Sequence, residues 1–367
     1  MPGSLFQSFS LSHEGGLMKE LIAKTFARIN RPVSLMEVCG THTVALFKHG
    51  IRSLLPEGLN LLSGPGCPVC VTAIKDIDKA IALAQMPDVI LATFGDMMRV
   101  PGGKLSLSEA KADGADIRII YSPLDCLKMA KENLAKKIVF FSAGFETTAP
   151  NAAATVTEAD RQGVGNFYLY SVHKVVPPAL SALLQSDDVR IDGFMLPGHV
   201  STIIGTHAYD FLAKDFGKPC VVTGFGADDI LSAMVMLLRQ MVEKRAAVEI
   251  QYTSVVTPDG NPKAIRFIET CFEPCDAYWR GIGVIPGSGL RLRETFRHRD
   301  AEVMFQIDVP DYPEPKGCMC GLVLRGVMTP NQCKLFGTAC TPERPVGACM
   351  VSTEGSCAAY YRFSPPS

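Results

Sequence analysis

Two cysteines three positions apart, Cys67 and Cys70, lie in the run Ser63-Gly64-Pro65-Gly66-Cys67-Pro68-Val69-Cys70. The apolar Leu59, Leu61 and Leu62 precede it, and Val71, Ile74, Ile77, Ile81 and Ala82 follow at helical spacing, so the pair is expected where a strand gives way to a helix. Free amide N–H groups and the helix dipole at such an end favour a thiolate. Two thiols so placed can close a disulfide, bind a metal or act as a redox couple. The plain alternative is two small buried side chains or half of a zinc site; two glycines and two prolines around them argue against mere packing.

A second thiol stands in Cys39-Gly40-Thr41-His42-Thr43, directly after the strand-like Val33–Val38. A cysteine and a histidine three apart on a turn can be nucleophile and base, or a pair of metal ligands; a capped helix with a buried cysteine reads equally well. A third group comprises Cys318, Cys320, Cys333, Cys340, Cys349 and Cys357, in a loop-rich segment with no histidine from Cys318 to Ser367. Four thiolates satisfy a [4Fe-4S] cluster or a structural zinc. Zinc ribbons use close Cys-x-x-Cys knuckles, which this tail lacks, so its wide spacing favours iron–sulfur.

The elements that must carry these residues alternate strand and helix. Eight strands are expected in two groups of four, at 33–38, 59–62, 88–93 and 116–121, then at 138–142, 166–170, 191–196 and 220–223. This is an α/β pattern of parallel sheets, with function at the carboxyl ends of the strands. Leu62-Ser63-Gly64-Pro65-Gly66-Cys67 matches Phe194-Met195-Leu196-Pro197-Gly198-His199, which suggests a duplicated domain; an eight-stranded barrel is the rival architecture. Asp96, Glu146, His173 and His199 also follow strands, where helix caps and loop hydrogen-bonders are common. A long helix is expected over 228–246, and a strand-like stretch over 249–256.

The totals exclude several classes. A net charge of −1 over 367 residues does not attract nucleic acid or an anionic membrane. No run is apolar enough to span a bilayer, and Met1–Ser12 lacks the basic and apolar regions of a secretory leader, so a cytoplasmic protein is expected. Thirteen cysteines in a reducing compartment point to metal or thiol chemistry rather than structural disulfides. Neither a Gly-x-Gly-x-x-Gly fingerprint nor a phosphate-binding loop is present, so nucleotide binding is unsupported.

Cys39-Gly40-Thr41-His42, Gly64-Pro65-Gly66-Cys67-Pro68-Val69-Cys70, Gly144-Phe145-Glu146-Thr147-Thr148, Pro197-Gly198-His199 and Cys320-x12-Cys333-x6-Cys340-x16-Cys357 occur in this order. Together they resemble the HypD family of [NiFe]-hydrogenase maturation proteins. The resemblance implies a scaffold for the Fe(CN)2CO unit, working with the small chaperone HypC and with cyanide from HypE, and monomeric when alone. It implies that Cys39 binds the iron beside a HypC cysteine, with His42 near, and that Cys67 and Cys70 are a redox pair. Cys320, Cys333, Cys340 and Cys357 match the family's [4Fe-4S] ligands, while Cys318 and Cys349 fall outside that spacing. It also implies two similar α/β domains, here 31–136 and 137–247, and a cluster domain from 1–30 with 248–367. A thiol-disulfide oxidoreductase with an incidental Cys39, and a zinc-stapled binding module, are the alternative functions.

Overall fold

The structure, a computed structural model, describes residues 13–363. The leader read over Met1–Ser12, and the outer ends of the expected third region, lie outside them. All eight expected strands form: β1 (Val33–Glu37), β2 (Leu59–Ser63), β3 (Val89–Thr93), β4 (Ile117–Ile119), β5 (Lys137–Ser142), β6 (Phe167–Ser171), β7 (Gly193–Pro197) and β8 (Cys220–Thr223). β9 (Val248–Ile250) and the pair β10 (Phe272–Trp279) and β11 (Gly283–Leu292) follow. β3, β7 and β8 are buried along their whole length, the condition of strands covered on both faces.

The strands do not sort into two consecutive groups. One parallel sheet has the order β2-β1-β7-β8-β9, the other β4-β3-β5-β6. The chain leaves the first sheet after β2, builds the second, and returns at β7. A boundary between residues 136 and 137 therefore cuts the four-stranded sheet, where Ile90 stands opposite Ile138. A buried apolar run is equally suited to either sheet, so local composition did not reveal the excursion. Both orders are open, which overturns the barrel. The Gly-Pro-Gly-Cys67 and Pro-Gly-His199 turns end two strands of the same sheet, on either side of β1, rather than matching positions of two domains.

In each sheet the order begins second, first, third, fourth in the sequence of its own strands. The order reverses between β1 and β7 in one and between β3 and β5 in the other. Such switch points open a crevice beyond the carboxyl ends of the strands. Cys39 follows β1, His199 follows β7, Asp96 follows β3 and Glu146 follows β5.

One face of each sheet contributes to a shared core, with Met36, Phe194 and Leu196 from one and Leu91, Val139 and Phe141 from the other. The described part of the leader, helix His13–Phe26, packs on helix Ala227–Val242, and its Ile22 is buried with Leu35, Met195 and Val221 on the opposite face of the five-stranded sheet. This places it with that sheet rather than with the cysteine-rich tail. Helix Ala227–Val242 starts where Asp229 accepts from the Gly226 N–H at 3.0 Å and stops before Lys244, whose φ is +54°. The stretch after it forms only the short β9. β10 and β11 form an antiparallel hairpin with a register shift between Cys275 and Ala277. Pro274 and Pro286 within these strands masked them in the sequence. Among the described residues no helix is long and apolar enough to cross a membrane.

Phe194 is completely buried in the shared core. Phe194→Ala should lower the unfolding free energy by about 3–5 kcal/mol. Urea unfolding followed by Trp279 fluorescence and by far-UV circular dichroism should still give coincident transitions; two separate transitions would contradict a common core.

Candidate functional site

The site begins with two neighbouring strands. β1 and β2 run parallel with Glu37 opposite Ser63, so the turns that follow them leave side by side. The Gly64 N–H donates to the Glu37 carbonyl at 2.7 Å, and the Gly40 N–H to the Gly66 carbonyl at 3.0 Å. A Cβ on Gly66 would lie 2.3 Å from the Cys39 nitrogen, so backbone meets backbone there. Cys67 caps the short helix Pro68–Val71, with the Cys70 N–H donating to its sulfur at 3.2 Å. Cys67 and Cys70 are joined as a disulfide, with their Cα atoms 5.3 Å apart.

Cys39 precedes helix Gly40–Lys48 and is buried. Burial, then the charge of Glu354, and more weakly that of Glu37, push its thiol up to about 12, against the pull of the Thr41 and His42 N–H groups. Glu37 accepts from the Cys39 N–H at 3.1 Å and from the Thr43 hydroxyl; burial still raises its carboxyl to about 7. Burial likewise pushes His42 down to about 4. Its Nε2 donates to the Gly224 carbonyl at 2.9 Å, leaving Nδ1 buried with no partner. Phe225 stacks against both His42, with ring centroids 4.7 Å apart, and His199, 4.0 Å apart.

Glu354 was not legible in the sequence. It comes from the tail, accepts from the Thr41 hydroxyl at 2.7 Å, and would be only 2.5 Å from a Cβ on Gly40. Its charge also raises the pKa of Asp96, secondarily to burial, and opposes the lowering of His199 by burial. The Glu354 charge is thus felt at Cys39, Asp96 and His199. A lone glutamate three residues before a cysteine carries no distinguishing pattern.

His173 and Glu146 are buried and held by hydrogen bonds within the fold. His173 Nδ1 lies 3.2 Å from the Ser171 hydroxyl, which itself donates to the Leu290 carbonyl, and Nε2 lies 3.4 Å from the Ser142 hydroxyl. Burial pushes it down to about 3. Glu146 accepts from the Val176 N–H at 2.8 Å, and its second oxygen is buried without a partner. Burial raises it to about 7.

The tail gathers its cysteines. Cys318, Cys320, Cys333, Cys340 and Cys357 line one cavity, closed by Val323, Leu335, Phe336 and Met350. Cys349 is buried, and the neighbouring Cys320 and Cys357 thiols, with burial, push its own thiol up. Cys318 and Cys349, outside the family spacing, therefore sit with the other four. Among the described residues no group of three potential ligands is arranged to hold a metal ion. In kind, an all-sulfur donor set around an apolar cavity fits an iron–sulfur cluster. Helix Ala348–Val351 packs on helix Pro68–Val71, which ties this cavity to the disulfide.

Comparison with known proteins gives one consistent family. The HypD profile, described as "Hydrogenase formation hypA family", matches residues 16–364. The hydrogenase maturation factor HypD of Rhodobacter capsulatus is 47% identical over 342 residues, covering 92% of this chain and 91% of the relative. That of Escherichia coli is 48% identical over 336 residues, covering 91% and 90%. That of Cupriavidus necator is 44% identical over 360 residues, covering 95% of each.

Two outcomes follow from this geometry. Gly66→Ala forces the two turns apart and should cost about 1–3 kcal/mol, read as a lower Tm; an unchanged Tm would mean that the turns are not in contact. Glu146 holds its proton in the folded protein up to about pH 7, but unfolded gives it up near 4.5. Its contribution to stability is therefore full below the lower value and lost as pH rises through the higher one. Glu146→Gln should flatten the decline in urea midpoint between about pH 5 and about pH 8, by up to roughly 3 kcal/mol in stability. An equally steep decline in that variant would assign the effect to other groups.

Proposed function

The chain belongs to the HypD family of hydrogenase formation proteins, and from that premise we propose that it serves hydrogenase maturation as the scaffold on which the Fe(CN)2CO unit is assembled. A HypC-type chaperone and a HypE-type cyanide donor are its partners in this reading. The observation that carries it is the packing of helix Pro68–Val71 between the Cys39 turn and the helix bearing Cys349. Three groups of thiols remote in sequence form one continuous unit.

Cys39 is the anchor for the iron, which is the cargo. Its thiol is neutral while the site lacks a cation, because burial and the Glu354 and Glu37 carboxylates oppose ionisation. Arriving iron reverses that balance, since a metal ligand must be deprotonated and the metal charge favours the thiolate. A soft sulfur suits low-spin iron bearing cyanide and carbonyl. His42, neutral and fixed by Gly224, presents the lone pair of Nδ1 close to this turn. Cys67 and Cys70 are the two-electron couple, described in its disulfide form.

Cys320, Cys333, Cys340 and Cys357 are the assigned ligands of a [4Fe-4S] cluster, whose chemistry when bound is the supply of single electrons. Cys318 lines the same cavity and Cys349 is buried beside Cys320 and Cys357; neither holds an assigned iron. The rival thiol-disulfide oxidoreductase requires turnover of Cys67 and Cys70 without iron at Cys39.

Anaerobically purified protein should contain about four iron and four acid-labile sulfide per chain. Serine at 320, 333, 340 or 357 should abolish both, whereas Cys318→Ser and Cys349→Ser should retain them. Cys67→Ser should keep the cluster, but the complex with the HypC-type chaperone should lack infrared bands of iron-bound cyanide and carbonyl. Stoichiometric zinc without sulfide would make the tail a structural staple. Normal cyanide-ligated iron in Cys67→Ser would remove the dithiol from the assembly.

A further inference from the structure

We propose that residues 307–317 form a strap, pinned only by side chains, whose release admits an external thiol to the Cys67–Cys70 disulfide; this rests on the reading of that pair as a redox couple. Both sulfurs belong to buried residues. The Cys39 turn packs against the dithiol helix Pro68–Val71 on one side and helix Ala348–Val351 on another. Next to the end of that helix lies a cleft of about 520 Å³. Ala73, Ile74 and Asp76, from the chain that follows Cys70, line it together with Tyr312, Pro313 and Glu314 of the strap.

The strap has almost no backbone support. Pro310, Pro313 and Pro315 carry no N–H, and among the described residues no backbone N–H from 307 to 317 donates to a backbone carbonyl. Two side chains hold it instead. The Tyr312 ring lies so close to Gly103 that a Cβ there would overlap it, and the Gly103 N–H donates to Asp78 of helix Ile74–Ala84 at 2.8 Å. Glu314 accepts from Arg280 Nε at 3.1 Å, and the Arg280 backbone N–H donates to the Val71 carbonyl at 2.9 Å. Each pin therefore ends on the chain that continues from Cys70. A segment held this way opens locally at far lower cost than the sheets beneath it. Glu314 is 32% exposed, so water can take over its side of the pair as the strap lifts. A disulfide reacts only where the attacking sulfur can reach it. With the strap open, an external dithiol attacks one sulfur as its thiolate, the S–S bond breaks, and the second external thiol resolves the mixed disulfide. Two electrons and two protons pass to Cys67 and Cys70, and the dithiol leaves oxidised.

The test is anaerobic reduction of the full-length protein by excess dithiothreitol, sampled by alkylation and mass measurement of the peptide that carries both cysteines, at increasing urea below the unfolding transition. The wild-type rate should be flat in low urea, because lifting the strap exposes little surface. Glu314→Gln and Tyr312→Ala should each raise that flat rate by about tenfold. Glu273→Gln, which breaks the comparable pair with Arg291 elsewhere on the β10–β11 hairpin, should leave it unchanged. A wild-type rate that climbs with urea from the first addition would assign access to global unfolding and overturn the proposal. A flat rate unmoved in both strap variants would overturn it as well. If one strap variant does not fold, the other decides. Protein whose two cysteines are alkylated before any reductant is added, even after treatment with an oxidant, is a separate result and removes the redox couple itself.

Discussion

The contact between the Gly66 and Cys39 backbones is the constraint on which the site depends. Parallel pairing of β1 and β2 brings the two turns out at the same height, and two crossing hydrogen bonds hold them with no side chain between. Only glycine permits that approach, because a Cβ would fall 2.3 Å from the Cys39 nitrogen, far inside van der Waals contact. The separation of the Cys39 turn from the Cys67 cap is consequently set by main-chain geometry rather than by side-chain rotamers. The two turns thereby share a fixed frame without spending ordering entropy on long side chains.

Burial then decides the charge state of what that frame holds. Cys39, His42 and Glu37 all lie away from water, and in each the cost of desolvating the ionic form outweighs the hydrogen bonds that favour it. The helix N-terminus at Cys39 favours a thiolate but is outweighed, which separates this position from an exposed reactive cysteine. His173, similarly buried, has both ring nitrogens facing hydroxyls and belongs to the packing of β11 against β6. The bare Nδ1 of His42 sets it apart from that arrangement.

The tail completes the site by closing over the five-stranded sheet. Helix Ser356–Phe363 lies on helix Gly40–Lys48, with Phe47 edge-on to Tyr360 at 4.6 Å and stacked on Phe363 at 6.1 Å. Arg52 lies over both Phe47 and Tyr360. This aromatic clamp is continuous with the turn that carries Glu354 to Thr41 and with Cys357 in the cysteine cavity. Anchoring the last helix therefore positions a carboxylate and a thiol at once. The tail is less an appended domain than a cover that joins the crevice to the cavity.

The sequence alone determined the parallel α/β class, the eight strands that carry it, the strand-to-helix setting of Cys39, Cys67 and Cys70, and the family. These depend on local facts: apolar runs, Pro-Gly turns and cysteine spacing, each complete within a dozen residues. Only the tertiary structure decided that β1 and β2 pair with β7 and β8 across an inserted sheet, since a buried strand does not encode its neighbour. It alone brought Glu354 to the Cys39 turn, drew Cys318 into the cavity with the four spaced cysteines, paired β10 with β11 and set the turn of that hairpin against Val71 on one side and Gly321 on the other. Those placements come from packing between segments far apart in the chain, and no local pattern records which surfaces will meet.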